Sequence, residues 1–89
     1  MPSTSAPGPV PYDATAVAAD ARAADPSLLE DEAAQLAGEA LAHLRRLGSA
    51  DVAALARALL DSVADVSHAN VVARAAVDFC EQHNVDLSS

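Results

Sequence analysis

SHANVVARAAVDFCEQHN, residues 67–84, reads as a single helix marked at both ends. The Ser67 hydroxyl is suited to accept a hydrogen bond from an unsatisfied backbone N–H of the first turn. Asn84 tolerates the left-handed conformation that closes many helices, and Val85 can fold back onto the last turn. Asn70, Arg74, Asp78 and Glu81 recur at steps of four, four and three, and so form one narrow polar stripe. The remaining circumference is apolar, from Ala69 to Cys80. A helix of this kind has neighbours on more than one side, so the expected fold is built around it.

Immediately before it, residues 49–66 place Val52, Leu55, Leu59, Val63 and Val66 on one helical face. Ser49 is a candidate cap, Asp51 adds favourable charge to the first turn, and Arg57 can pair with Asp61 at i and i+4. Further back, Ser27–Leu47 carries Glu30, Asp31 and Glu32 in its first turn and Arg45 and Arg46 in its last, matching the helix dipole. Leu29, Ala33, Leu36, Ala40, Leu44 and Leu47 line its apolar face, and Gly48 terminates it. Asp25-Pro26 resets the chain ahead of this helix, with Asp25 as cap and Pro26 at the first helical position. Tyr12–Asp25 has high helix propensity and Asp13 as N-cap, but Val17 is its only large apolar residue beyond Tyr12. Such a segment is expected to fray alone and to order on a partner.

Residues 1–12, rich in Pro and Ser, are read as a disordered tail and 13–89 as one helical domain, with helices at about 14–24, 27–47, 50–64 and 68–83. Connections this short make consecutive helices antiparallel neighbours. The fold class is therefore all-α: a small antiparallel three-helix bundle, with an additional N-terminal helix whose docking the sequence leaves open. Neither strands nor internal repeats are expected, because no alternating run occurs.

The chain has 89 residues and is 52% hydrophobic, but much of that is alanine and only 2% is aromatic. The thin core favours association with a second copy or a partner. Net charge is −8, from 13 acids against five arginines, with no lysine. Such a surface repels phosphate backbones and anionic lipid, so direct nucleic-acid and membrane binding are disfavoured. The acids concentrate early: residues 13–32 carry −5, 33–48 carry +1, and 49–66 and 67–89 carry −2 each. The bias to Ala, Val, Arg and Asp, without Ile, suggests a high-GC bacterium. A single Cys, the lack of a basic and apolar leader, and no apolar run near 18 residues make a cytoplasmic protein the expectation.

Chemistry-bearing constellations are sparse. Cys80 and His83 share a side of the last helix, and His43 or His68 would have to complete a zinc site, but no tight ligand pair lies in a loop. The same Cys and His make a poor nucleophilic dyad, because Cys80 sits at the negative end of its helix beside Asp78 and Glu81. The three glycines form no phosphate loop. His43, Arg45 and Arg46 are the only basic cluster, in a last turn where the dipole already accounts for positive charge. The strand of a ribbon-helix-helix repressor and the turn of a helix-turn-helix are both missing, and Arg74 alone cannot supply phosphate contacts. Catalytic, cofactor and metal sites are therefore not expected.

The expected function is a non-catalytic protein–protein interaction module, an adaptor, docking domain or accessory subunit, forming a homodimer or hetero-complex. Its apolar contact would use Val71, Val72, Val77 and Phe79. The alternative is an acidic inhibitor, antitoxin-like or DNA-mimicking, that covers a basic partner with Asp20, Asp25, Glu30, Asp31 and Glu32.

Overall fold

The computed structural model describes residues 12–48, 50–63 and 65–85; the expected tail over Met1–Pro11 and the Ser49 cap lie outside them. Four helices follow in order: α1 (Ala14–Ala24), α2 (Glu30–Leu47), α3 (Val52–Leu59) and α4 (Val66–His83). Each start and stop has a local cause. Asp13 caps α1 by accepting from the backbone N–H groups of Thr15 and Ala16, at 3.0 and 3.2 Å. Gly48 closes α2 and Asn84 closes α4, both in the left-handed region at φ 73° and 54°. Val85 N–H then returns at 3.1 Å to the Cys80 carbonyl, which also accepts from the Asn84 N–H.

Three helix starts are set differently from the sequence expectation, and in each case an aspartate decides. Asp65, not Ser67, caps α4, accepting from the N–H groups of Ser67 and His68 at 2.9 and 3.4 Å. Asp51 caps α3 through Ala53 and Ala54. Asp25 does act on the chain after it, but it closes a turn and starts no helix. Its Oδ1 accepts from the Ser27 hydroxyl at 2.6 Å and the Ser27 N–H at 3.1 Å, and its carbonyl accepts from Leu28 N–H. A carboxylate competing for nearby N–H groups in this way delays α2 to Glu30. Helix α3 ends at Leu59 instead of about 64, where Leu60, Asp61 and Ser62 donate back three residues and tighten the chain into a turn.

Two long-range contacts fix the directions. Tyr12, before α1, meets Ala37 of α2 and Phe79 of α4, whereas the turn after α1 meets His68 at the start of α4. Helix α1 therefore runs antiparallel to α2 and α4, which run parallel to each other. Helix α3 and its flanking turns carry the chain back from the end of α2 to the start of α4. Helix α4 packs on all three others, as its nearly all-round apolar surface requires, while α1 and α3 lie on opposite sides of the α2–α4 pair and do not touch.

The core is made of small residues around a few leucines. Leu28, Leu44, Leu55, Leu59, Val17 and Val72 are fully enclosed, with Ala21, Ala37, Ala40, Ala73 and Ala76 between them. Alanine at these positions lets helix axes approach closely. Val17 and Ala21 bury α1 against its own chain, so the additional helix is an integral part of the bundle and not a segment left to fray. Tyr12 likewise belongs to the packed body, which corrects the tail boundary at that residue. Leu29, Leu47 and Val66, expected on inner faces, are exposed because each sits at a helix end beyond the neighbour it would need.

Candidate functional site

The most concentrated polar chemistry lies where the α1–α2 turn meets the start of α4. His68, two residues past the first of α4, presents a ring only 13% exposed. Its Nε2 lies 3.2 Å from Ser27 Oγ, 3.8 Å from Asp25 Oδ2 and 3.7 Å from Asp65 Oδ2, while Nδ1 lies 3.3 Å from Glu32 Oε1. Nδ1 is buried and makes no hydrogen bond, the Glu32 approach lacking the angle for one. Both ring nitrogens thus face oxygen atoms. The Ser27 hydroxyl hydrogen bonds and then the Ser27 N–H hold the Asp25 carboxyl below its ordinary value, with the histidine adding to the effect.

Serine, histidine and glutamate in this order invite comparison with a nucleophilic triad. The proton bookkeeping points elsewhere. Ser27 donates to Asp25 at 2.6 Å, so its oxygen faces Nε2 with a lone pair and the ring is placed to donate to it, not to take its proton. The junction ties three chain segments together. Among the described residues, no group of three or more His, Cys, Asp or Glu is placed to hold a metal ion.

At the other end of α1, the Tyr12 hydroxyl donates to the Ala37 carbonyl at 2.7 Å, and its ring meets Phe79 edge-on at 5.7 Å between centroids. Phe79 in turn stacks on His83 at 4.4 Å. Burial pushes the Tyr12 phenol well above its ordinary value, with Cys80 adding to the rise. The Cys80 thiol is also raised, by burial first and by Glu81 second. Cys80 and His83, considered together from sequence, thus serve separate contacts.

The expected apolar contact residues are mostly consumed by the fold. Val72, Val77 and Phe79 are buried in the chain's own core, which removes them from the surface, and only Val71 stays accessible. Val71 lines a groove of about 510 Å³ between α1 and α4, floored by Ala23, Ala24 and Ala75 and edged by Asp20, Arg74, Asp78 and Gln82. Of the expected acidic set, Asp20, Glu30 and Asp31 are exposed, whereas Asp25 and Glu32 turn towards His68. A second groove, between α3 and α4, runs over Ala53, Ala56 and Ala69 and is flanked by Arg57, Leu60, Val66 and Asn70. Leu60 and Val66 are 39% and 57% exposed there.

Sequence reasoning missed both anchors of α1. The signals were present: Tyr12 stands one residue before a capping aspartate, the position of an apolar staple, and His68 stands three residues after Asp65, within reach of a first-turn ion pair.

No family model matches the chain, and neither does any curated protein or solved structure. Fold and surface together define a small all-α bundle of four helices. No helix among the described residues is long and apolar enough to cross a membrane.

Proposed function

We propose that this chain is a non-catalytic interaction module, an adaptor, docking domain or accessory subunit working in a bacterial cytoplasm. The supporting observation is the α3–α4 groove, where Leu60 and Val66 leave large apolar surface in water beside an alanine floor. Apolar surface kept together on a small domain is what a helix-packing contact uses. Leu60 and Val66 replace Val72, Val77 and Phe79 as the residues expected to make that contact. The test is sedimentation of the purified chain over a concentration series at low and high salt, repeated with its partner once one is isolated. Association through this groove survives high salt and is lost in Leu60→Asp/Val66→Asp with the helical signal intact. Association that this double variant leaves unchanged overturns the assignment.

The alternative, cover for a basic partner, keeps Asp20, Glu30 and Asp31 as its exposed acids. Binding of that kind weakens steeply as salt rises.

A further inference from the structure

The outward side of α2, opposite its buried Leu36, Ala37, Ala40 and Leu44, is exposed, and only at its start do Glu30, Asp31 and Ala34 share a groove with Thr15, Ala18, Ala19 and Arg22 of α1. Along it run Asp31, Ala34, Gln35, Gly38, Ala42 and Arg45, all exposed. The line most open to water carries charge only at its two ends, although the outside of a soluble helix is ordinarily its most charged strip. Glu39, beside it, is engaged by the Ser62 and Gln35 side chains, which hold its carboxyl below the ordinary value.

The charges are placed symmetrically. Asp31 and Arg45 stand seven residues before and after Gly38, and Glu30 and Arg46 stand eight before and after. Asp31, Arg45 and Arg46 make no ion pair among the described residues, and Glu30 has only the Arg22 guanidinium at 4.0 Å. The helix dipole accounts for acids first and bases last. That placement also sets their equal spacing about the middle of the helix, but it does not account for a glycine at that midpoint, nor for the uncharged outward line of Ala34, Gln35, Gly38 and Ala42. Gly38 has no local reason either: a Cβ built there meets nothing within 4 Å and its φ is ordinary. In a helix interior glycine costs about 0.5–1 kcal/mol relative to alanine, which this fold does not require.

We propose that this face is the contact with a second copy of the chain, the two α2 helices crossing antiparallel on a two-fold axis at Gly38. Glu30 and Asp31 then lie opposite the partner's Arg45 and Arg46, a contact that occurs twice, while Ala34 faces the partner's Ala42. An isologous contact needs a patch complementary to its own reverse, and this sequence of acids, small residues and bases is one. The protein as a whole carries −8, but this face carries two acids and two bases, so a second copy approaches it without the repulsion found elsewhere. Small residues at the crossing let the helix axes come within about 8–10 Å.

This assignment rests on the interaction-module reading and names one partner for it. The experiment is sedimentation of the full chain and three variants: Gly38→Glu, Glu30→Arg/Asp31→Arg and Arg45→Glu/Arg46→Glu. The wild type is expected to be a dimer, and Gly38→Glu, which adds a good helix former outside the core, is expected to keep or raise thermal stability while weakening dimerisation at least roughly tenfold. Each charge-reversed chain alone is expected to be monomeric, and an equal mixture of the two is expected to restore the dimer, a rescue that loss of stability cannot mimic. A wild type monomeric at all concentrations overturns the proposal, as does a dimer that ignores all three variants. A dimer broken only by Leu60→Asp/Val66→Asp overturns it too, while supporting the α3–α4 groove.

Discussion

The two ends of α1 are held by opposite kinds of chemistry. Its beginning is held by an aromatic plug, Tyr12 against Phe79 with one hydroxyl on the Ala37 carbonyl. Its end is held by charge and hydroxyl, with Asp25, Ser27 and Glu32 around His68 and the Arg22 Nε on the Leu28 carbonyl at 3.2 Å. The helix between buries only Val17, Ala18 and Ala21, a small apolar area for a docked helix. A short, alanine-rich helix can thus be integral to a bundle when its flanks, and not its own apolar face, make the attachment.

The largest expected effect breaks the aromatic end. Phe79→Ala should cost about 3 kcal/mol in urea unfolding, because a buried ring is lost from both the core and the Tyr12 contact. Tyr12→Phe should cost about 1 kcal/mol by removing the Ala37 hydrogen bond. The same variant should flatten the alkaline limb of the stability curve. A phenol raised on folding gives stability that is complete below its ordinary value of 10.0 and is lost as pH rises beyond it. The slope remaining in Tyr12→Phe should begin nearer 9.0, from the raised Cys80 thiol.

The polar end should respond less, and to different variables. His68→Ala should cost below about 1 kcal/mol in urea unfolding, since the groups around the ring are partly in water. Asp25, lowered on folding, gives stability that is present above its ordinary value of 3.8 and is lost as pH falls through the folded one. Asp25→Asn should therefore remove part of the acid limb and leave the alkaline limb unchanged. The smallest change touches neither end. Gly38→Ala, measured at protein concentrations too low for association, should add about 0.5 kcal/mol, because the site has room for a methyl group and a helical backbone.

These contrasts explain which features were legible in sequence. Periodicity sees repetition, so the faces of α2 and α4, the Gly48 and Asn84 stops and the all-α class could all be read from spacing. Caps were legible in type but not in position: Asp, Ser and Thr are near-equivalent N-caps, and at 65–67 and 49–51 two candidates compete within one turn. The anchors of α1 were not legible as such, since Tyr12 and His68 act across 25 and 41 residues of chain and no local pattern encodes their partners. For the same reason the burial of most of the expected apolar contact residues was not legible. Val72, Val77 and Phe79 looked available because nothing in their own helix showed how many neighbours it would have, whereas Val66 looked internal because the α3 face was read as continuing past Leu59, where the helix ends.

Cys80 gives the closed bundle a built-in clock. Its sulfur is enclosed by α4's neighbours, and its thiol is held in the unreactive protonated form by burial and by Glu81. An alkylating reagent therefore finds nothing to modify until the helices separate. Where alkylation outpaces reclosing, the pace of labelling is the pace of opening; where it does not, labelling reads the share of open molecules, in either case without a dye, a tag or any change to the chain.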